Sequence, residues 1–435
     1  MTISVSGTNN ATIADQLGDM LNALFDGEPP VPVEFWDGSV RGGGGPVRVV
    51  IRTPDAFRRI LWSPDELGIA RAFVAGDIDL IGPLAPLLRA LQEALPTDAR
   101  IAAGALPKVF AGVRASGALG RPLPPPPEEY VPHGLRHSLR RDKSTVSSHY
   151  DVGNDFYGLV LGPAMSYSCA RFVERDVSLE DAQAAKHDLV CRKLGLDDPA
   201  TAVGGERPRL LDVGCGWGSM AIHAAATYGA DVVGVTISNE QAALARRRVA
   251  DSGLNDRIEI RVQDYREVND GPFDAISSIG MAEHVGKKNM VGYFEQLHDL
   301  VRPGGRVMNH AIASIGGSKM GGRRFMHRYV FPDGELLDLG VTVLAMELAG
   351  FEVRDVENLR EHYATTLRHW VANLERRWDD AVALVGERRC RVWQLYMSAS
   401  VNGFDDAGVQ LYQTLGVRNH HDGRSDIPPT RTGWT

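Results

Sequence analysis

The stretch LLDVGCGWGSM, residues 210–220, decides the fold of the chain around it. An apolar run ends in Asp212, and glycines at 214, 216 and 218 then lead into an alanine-rich segment. A strand that ends in a glycine-rich turn before a helix is typical of nucleotide-binding α/β proteins, because glycine lets a ligand approach the backbone closely. The stretch therefore predicts a nucleotide site at the carboxyl end of a strand.

Strand-like and helix-like segments alternate after this turn. This alternation predicts a parallel, doubly wound α/β sheet, with helical insertions at 335–349 and 365–400. Helices are expected at 218–228, 239–252 and 288–301. The expected strands are RLLDVG (209–214), DVVGVTIS (231–238), IEIRVQDY (258–265), FDAISSI (273–279) and GRVMNHAIA (305–313).

Residues 1–120 predict a smaller α+β domain that precedes the sheet. TIADQLGDMLNALF (12–25) has apolar residues at helical spacing, whereas PVEFWDG (32–38) and GPVRVVIRT (45–53) have strand character. Residues 55–80 predict helical segments that end in a short extended piece. This domain is expected to bind lipid or to dimerise.

The segment 121–145 predicts a proline-rich linker followed by a basic stretch. RPLPPPPEEYVP (121–132) favours an extended, solvated conformation. The basic residues of 136–143 are expected either to contact anionic lipid or to form an ordinary solvated face. The main domain is then predicted at 146–417, and a loosely ordered polar tail at 418–435.

Composition limits the classes of protein to which the chain can belong. Its 435 residues are 43% hydrophobic and carry a net charge of −8, so no overall basic field recruits nucleic acid. The four cysteines, at 169, 191, 215 and 390, show no paired spacing, which favours a reduced compartment. No signal peptide or long apolar span is recognisable. These features predict a soluble, cytoplasmic protein.

The spacing of the glycines distinguishes between nucleotide cofactors. A dinucleotide fingerprint is GxGxxG, whereas this turn is GxGxG, and the next strand ends in GVTIS instead of an acidic residue. No lysine follows the turn, which excludes a Walker loop, while NAD remains an alternative. DVGCGWG is instead similar to the first motif of class I methyltransferases that use S-adenosylmethionine.

Further motifs in the same order extend this resemblance over residues 140–415. Together they resemble the cyclopropane-fatty-acyl-phospholipid synthase family, which includes mycolic acid cyclopropane synthases and actinobacterial fatty-acid methyltransferases. The resemblance implies a Rossmann-like class I methyltransferase fold for the main domain. The motifs are SSHYDVGNDFYGLVLGPAMSYSCARF (147–172), VVGVTISNEQ (232–241), VQDYRE (262–267), GMAEHVG (280–286), HAI (310–312) and HYATTLRHW (362–370).

The resemblance implies methyl transfer from S-adenosylmethionine to the double bond of an unsaturated acyl chain, expected within a phospholipid. A bound bicarbonate ion would deprotonate the resulting carbocation, giving a cyclopropane or a 10-methylene type branch. Relatives often carry a cysteine where this chain has Ser400, and this difference favours the branched product. The expected partners are the inner-membrane surface, a second copy of the chain bound through the first domain, and a separate reductase.

Five residues are implied as the bicarbonate site by their motifs. Each also has a structural interpretation, since a buried His–Glu pair or a small buried thiol is common in protein cores. Their spacing does not fit a zinc site, so no metal is expected. The five are Cys169, Glu283, His310, Ile312 and Tyr363, with Cys169 and Ile312 expected to offer backbone N–H groups.

Eight residues are implied as the cofactor site. Thr236 and Gln241 would serve the ribose and adenosine side, and Tyr265 either lies against the adenine or is simply packed. The eight are Tyr167, Ser168, Asp212, Gly214, Gly216, Thr236, Gln241 and Tyr265.

Two further expectations concern a basic loop and the rival functions. SKMGGRRFMHRYVFP (318–332) predicts either a lid that meets phosphates or a solvated loop. The first rival is a small-molecule N-methyltransferase, which would not need Glu283. The second is a non-catalytic lipid-binding protein, which would not bind S-adenosylmethionine.

Overall fold

The computed structural model describes residues 12–43, 47–94, 106–130, 152–198, 201, 207–316, 323–332 and 334–434. The chain divides into two compact units. Unit 1 comprises Met1–Tyr130, Gly321–Tyr329 and Gly386–Asn402, and unit 2 comprises Val131–Met320, Val330–Val385 and Gly403–Thr435. The basic cluster predicted at 136–143 and Lys319 of the predicted lid lie outside the described residues.

The helices of the described chain span most of the segments predicted to be helical. None of them is both long enough and apolar enough to cross a bilayer. They are α1 (Ile13–Phe25), α2 (Asp55–Trp62), α3 (Glu66–Ala75), α4 (Leu84–Ala94), α5 (Leu106–Ala115), α6 (Asn154–Leu161), α7 (Leu179–Lys193), α8 (Ser219–Tyr228), α9 (Asn239–Asp251), α10 (Ala282–Val285), α11 (Met290–Leu300), α12 (Arg323–Tyr329), α13 (Leu339–Leu348), α14 (Arg360–Arg376), α15 (Trp378–Val385) and α16 (Glu387–Asp405).

The strands form two separate sheets, one in each unit. They are β1 (Val33–Glu34), β2 (Val40–Arg41), β3 (Arg48–Ile51), β4 (Ile78–Ile81), β5 (Arg209–Val213), β6 (Asp231–Thr236), β7 (Ile258–Val262), β8 (Phe273–Ile279), β9 (Val301–Ser314), β10 (Leu337–Asp338), β11 (Glu352–Asn358) and β12 (Val409–Val417).

Unit 1 is the α+β domain that the first 120 residues predict. Its four strands lie in the order β2-β1-β3-β4, and helix α1 begins at a capping box in which the Thr12 and Asp15 side chains each bind the other residue's backbone N–H. Apolar residues of the helices and strands, including Leu17, Phe35 and Ala72, pack into one core. The sequence therefore predicted both the class and the main elements of this unit.

Two segments of unit 1 make contacts that the sequence did not predict. Residues 121–130 form no helix or strand and most of 121–127 is exposed, as expected for a solvated linker, but Arg59 donates to the Pro124 carbonyl and Arg71 forms a two-bond ion pair with Glu129. Helix α12 of the predicted lid also belongs to this unit. There Arg324 pairs with Asp65, so this arginine is neutralised by an acid of the same unit.

The sheet of unit 2 has the strand order β11-β12-β9-β8-β5-β6-β7, with β10 paired to β9. Strands β5 to β9 pair in parallel, as the alternating pattern predicts. The sheet also contains a strand that the sequence analysis did not predict, β12, which runs antiparallel to both β9 and β11. β12 follows helix α16 and lies between β9 and β11 in the sheet.

The chain changes direction across the sheet at β5. From β5 it continues to β6 and β7 on one side, while β8 and β9 lie on the other. Apolar clusters cover both faces of this sheet, with Leu210 in one and Leu211 in the other, as the alternation of a strand requires. A reversal of strand order leaves a crevice at the carboxyl ends of the strands, where doubly wound proteins bind their ligands.

The carboxyl-terminal segment, predicted to be a loosely ordered polar tail, contacts the rest of unit 2 at several points. Trp434 is buried among the apolar side chains on one face of the sheet. Arg431 forms an ion pair with Asp355 at 2.8 Å, and Arg306 donates to the Asp426 carbonyl. Polar composition did not reveal this packing, because one aromatic side chain and a few backbone hydrogen bonds hold the segment.

Candidate active site

A cavity opens in unit 2 at the carboxyl ends of β5, β6 and β8. The turn after each strand contributes to its wall, and the segment before α7 closes another side. All eight residues predicted for the cofactor line this one cavity: Tyr167, Ser168, Asp212, Gly214, Gly216, Thr236, Gln241 and Tyr265.

The glycine turn after β5 needs glycine for two reasons. Gly216 has a φ of 54°, in the left-handed region that residues with a Cβ atom rarely adopt. A Cβ atom at this position would meet no protein atom within 4 Å, although the residue lines the cavity. A side chain at position 216 would therefore extend into the cavity and not into a packed core.

Asp212 places a buried carboxyl group in the cavity wall. Its Oδ1 accepts a hydrogen bond of 2.7 Å from the Ser277 hydroxyl, whereas its buried Oδ2 has no hydrogen-bond partner among the described residues. Burial raises the pKa of Asp212 to about 6, although the Ser277 hydrogen bond and the Lys186 charge oppose this rise. The unpaired oxygen can accept from a cationic group of a ligand.

Thr236 and Gln241 meet where β6 passes into α9. The Ser238 side chain caps this helix by accepting from the Gln241 backbone N–H, and the Thr236 hydroxyl donates to Gln241 Oε1 at 2.9 Å. Tyr265 lines the cavity and also packs edge-on against Tyr293, with ring centroids 4.9 Å apart. The two interpretations of Tyr265, ligand contact and packing, are therefore compatible.

Sequence reasoning missed two basic residues of the cavity wall, Lys186 and His187. Both are buried on α7, and the Lys186 ammonium donates to Ser168 Oγ and lies 2.9 Å from His187 Nε2. A signal was present: Ala182, Gln183, Lys186, His187 and Val190 recur at the spacing of one helix face. Apolar residues at both ends of that face indicate that the basic pair is buried.

Glu283 and Ile312, predicted for a second site, are in direct contact. The Ile312 backbone N–H donates to Glu283 Oε1 at 2.7 Å, so this N–H is not left for an anion as expected. Glu283 Oε2 is buried and has no hydrogen-bond partner among the described residues. Burial raises the pKa of Glu283 to about 7, against the lowering effect of the Ile312 N–H.

His310 lies two residues before Ile312 on β9, so both side chains point to the same face of the sheet. Gln413 on the neighbouring strand places its side-chain nitrogen 3.3 Å from His310 Nδ1. The buried Nε2 has no hydrogen-bond partner in the described chain. Burial, followed by the charge of Lys186, lowers the pKa of His310 well below its usual value, so the imidazole is neutral.

Cys169 and Tyr363 connect to this group through Leu359. The Cys169 thiol lies 3.6 Å from the Leu359 carbonyl, which also accepts from the Tyr363 N–H at 3.2 Å. Leu359 in turn donates to Leu411, the residue that pairs with Ile312 across β9 and β12. One network of hydrogen bonds, formed by backbone groups, the Cys169 thiol and the Glu283 carboxylate, thus joins four of the five predicted residues, and the fifth, His310, lies on the same strand as Ile312.

A row of aromatic rings connects the cavity to Tyr363. It begins at Trp217 in the glycine turn, which packs against Tyr157 at a centroid distance of 4.7 Å. Tyr157 is followed by Tyr167 at 5.6 Å, Trp370 at 5.3 Å and Tyr363 at 6.1 Å. The aromatic row therefore extends from the cofactor cavity to the second group of residues.

Comparisons with known proteins identify the family of the chain. The family model for mycolic acid cyclopropane synthetase matches residues 137–414. The probable fatty acid methyltransferase Rv3720 of Mycobacterium tuberculosis is 42% identical over 94% of this chain and 95% of its own length. The cyclopropane-fatty-acyl-phospholipid synthase of Escherichia coli K12 is 32% identical over 88% of this chain and 90% of its own.

A solved structure shows the same fold over part of the chain. The mycolic acid cyclopropane synthase CmaA1, crystallised with SAH (S-adenosylhomocysteine) and CTAB, superimposes with a TM-score of 0.59. It is 30% identical and covers 65% of this chain and 99% of its own length. The resemblance inferred from the motifs is confirmed: the chain belongs to the mycolic acid cyclopropane synthetase family and is an S-adenosylmethionine-dependent methyltransferase of the cyclopropane-fatty-acyl-phospholipid synthase type.

Proposed function

We propose that this enzyme methylates the double bond of an unsaturated fatty acyl chain within a phospholipid. The observation that carries the proposal is the aromatic row, which extends from the cofactor cavity to Tyr363. An isolated alkene is a weak nucleophile, so the reaction needs a dry site and close positioning. Aromatic faces exclude water and attract positive charge, which suits an acyl carbocation.

S-adenosylmethionine supplies the methyl group when it is bound in the cavity. The chain's own residues would orient this cofactor: Asp212 would accept from its cationic end, and the glycine turn would let it approach the backbone. The alkene electrons would form a bond from one alkene carbon to the methyl carbon as the sulfonium–methyl bond breaks. S-adenosylhomocysteine would leave, and the positive charge would pass to the other alkene carbon. The aromatic row would stabilise that charge until a proton leaves.

The second group of residues fits a bicarbonate ion. Two buried atoms with no partner in the described chain, Glu283 Oε2 and His310 Nε2, could respectively accept from its hydroxyl and donate to its oxygen. When bound, bicarbonate would supply the base that takes the proton. Gln413 and the Ile312 N–H hold the histidine and the glutamate in place. Burial keeps the imidazole neutral, which prevents His310 from acting as a competing acid.

The product depends on which bonds form as the added methyl loses its proton. If the C–H electrons attack the adjacent cationic carbon, a cyclopropane ring closes. If a hydride first shifts to that carbon from the methyl-bearing carbon, the charge moves to the methyl-bearing carbon, and proton loss from the methyl leaves a methylene branch. Ser400, half-buried in α16, stands where many relatives have cysteine, and on that difference we favour the methylene product.

The proposed partners follow from this product and substrate. The acyl chain reaches the enzyme from the cytoplasmic membrane surface, so we propose peripheral association with that surface. A methylene branch would require a separate reductase to become a saturated methyl branch. We also propose a homodimer formed through unit 1.

Lipid analysis tests the product directly. Cells that express this chain and are fed oleate should contain acyl chains 14 mass units heavier than oleate, a single added CH2. The two products have equal mass, so fragmentation that cleaves the chain, or NMR signals of cyclopropane and vinylidene protons, must distinguish them. Unmodified phospholipids in cells that contain folded enzyme would refute the proposed substrate.

The variant Glu283→Gln tests the second site. We expect it to lower kcat at least 100-fold, because it removes the carboxylate next to the proposed base, while the affinity for SAH stays within twofold of wild type. Glu335→Gln is the matched control, since Glu335 is exposed and contacts Glu283 only through backbone atoms. Turnover that survives Glu283→Gln would favour an amine acceptor, the N-methyltransferase alternative.

A further inference from the structure

Lys186 is a buried cation that has no role in the proposed reaction. Its residue is only 1% exposed, and it lies in the wall of the cofactor cavity. Its two hydrogen-bond partners are Ser168 Oγ and His187 Nε2, both at 2.9 Å. Burial lowers the pKa of His187 well below its usual value, so this imidazole is neutral and accepts from the ammonium.

The charge of Lys186 is not balanced by a contacting anion. In the described chain it forms no ion pair, unlike Lys193 on the same helix, which contacts both Asp355 and Glu357. Burial lowers the pKa of Lys186 to about 8, so the side chain remains mostly protonated at neutral pH. An ammonium group held without a counter-ion in a cavity wall is costly unless a ligand supplies the anion.

The amino-acid end of S-adenosylmethionine carries a carboxylate and an ammonium group. Asp212 and Lys186 line one cavity, and the charge of each favours the charged form of the other, but no ion pair joins them in the described chain, where Asp212 Oδ2 has no hydrogen-bond partner. We propose that the Lys186 ammonium binds the carboxylate of the amino-acid end of S-adenosylmethionine, with the Ser168 hydroxyl beside it. Asp212 would then accept from the amino group of the same end.

Bicarbonate is the other carboxylate-like anion that Lys186 could bind. Ser168, the hydrogen-bond partner of Lys186, lines the cofactor cavity, whereas Cys169, Glu283 and His310 are absent from the residues that line it. The geometry therefore favours the cofactor. This inference rests on the cofactor alone and is independent of the acyl acceptor in the proposed function.

A double-mutant cycle by calorimetry tests the pairing. Wild type and Lys186→Met are each titrated with SAH and with its decarboxylated analogue, which keeps the ammonium and loses only the carboxylate. We expect wild type to bind the analogue about 10- to 100-fold more weakly than SAH, as for other buried charge pairs. Lys186→Met should bind SAH about 10- to 100-fold more weakly than wild type does, and should bind both ligands alike.

Lys193→Met is the matched control, because Lys193 is equally buried on the same helix but already paired. It should lower the midpoint of thermal unfolding and keep the wild-type preference for SAH over the analogue. Lys186→Met should leave the midpoint of the ligand-free protein unchanged or raise it. If Lys186→Met does not fold, Lys186→Gln replaces it in the cycle.

Three results would overturn the inference. The first is wild-type enzyme that binds SAH and the decarboxylated analogue equally well, which needs no variant. The second is an equal penalty for decarboxylation in wild type and Lys186→Met. The third is unchanged SAH affinity in Lys186→Met together with an increased bicarbonate requirement for turnover, which would assign the ammonium to bicarbonate. Wild type that fails to bind SAH would instead contradict the proposed function.

Discussion

Asp212 makes cofactor binding depend on pH. Its pKa of about 6 in the ligand-free protein means that the carboxyl group is protonated at lower pH and cannot pair with the cofactor's ammonium. We expect the affinity for SAH to fall by up to about tenfold for each pH unit below 6. Calorimetric titration of wild type between pH 5 and 7.5 measures this dependence.

The variant Asp212→Asn separates the carboxylate from other causes of pH dependence. It should bind SAH about 10- to 100-fold more weakly at pH 7.5, with an affinity that is nearly constant down to pH 5. Ser277→Ala is the control, because it removes only the hydrogen bond to Oδ1. A pH dependence that persists in Asp212→Asn would show that another group is responsible.

Glu283 lowers the stability of the ligand-free fold at neutral pH. The pKa of Glu283 rises from 4.5 to about 7 on folding. Between these two pH values, the folded chain therefore keeps a proton that the unfolded chain has lost. Stability from this group is therefore present below about pH 4.5 and is lost as the pH rises to about 7. We expect the stability of Glu283→Gln relative to wild type to increase by about 2–3 kcal/mol from pH 5 to pH 8.

Urea denaturation at both pH values measures this difference, and any pH-independent cost of burying the amide cancels. Glu335→Gln removes an exposed carboxyl group nearby and serves as the control. An equal effect of Glu283→Gln at pH 5 and pH 8 would contradict the prediction. If Glu283→Gln is less active but more stable than wild type at neutral pH, the carboxylate of Glu283 serves activity at a cost in stability.

The sequence predicted the residues of the site better than their contacts. Asp212 and the glycines were evident because they adjoin one another in a local motif. The Ile312 N–H, expected to be available, donates to Glu283, 29 positions away in sequence, and no local pattern reveals such a bond. Lys186 was missed because a lysine on an amphipathic helix is usually exposed.

At the scale of an element, the turn between β5 and α8 tests the role of its glycines. Gly216→Ala should cost about 1 kcal/mol of stability through its left-handed backbone. Because the added methyl would enter the cavity, we also expect SAH to bind at least tenfold more weakly, as calorimetry would measure.

Gly253→Ala is the matched control for this turn. Gly253 has a φ of 68° and, like Gly216, would meet no atom within 4 Å of an added Cβ atom, but it follows α9 outside the cavity. It should show the same loss of stability with unchanged affinity for SAH. Equal affinity of both variants would show that the cofactor does not approach Gly216 closely.

The strands and helices of the sheet were predictable because each has a local period. RLLDVG, DVVGVTIS and FDAISSI became β5, β6 and β8. The direction of β12 was not predictable, since strand pairing is decided by contacts such as Leu411 with Ile312, about 100 positions apart. Local pattern thus gives the elements, and long-range pairing decides their order and direction.

At the scale of the whole molecule, the last residues of the described chain stabilise a core formed hundreds of positions earlier. Trp434 is 8% exposed and packs with apolar residues such as Leu189 and Leu210. Trp434→Ala should lower the free energy of unfolding of unit 2 by about 3–5 kcal/mol, the usual cost of removing a large buried ring. Denaturant unfolding monitored by far-ultraviolet circular dichroism measures this loss.

His421→Ala, at an exposed position of the same segment, is the control and should change stability by less than about 0.5 kcal/mol. SAH should bind Trp434→Ala with wild-type affinity wherever the variant is folded, because Trp434 does not line the cavity. A stability equal to wild type would mean that the ring contributes nothing to the core. Loss of cofactor binding in folded Trp434→Ala would instead mean that the segment acts on the cavity through the sheet, which the separate positions of the ring and the cavity argue against.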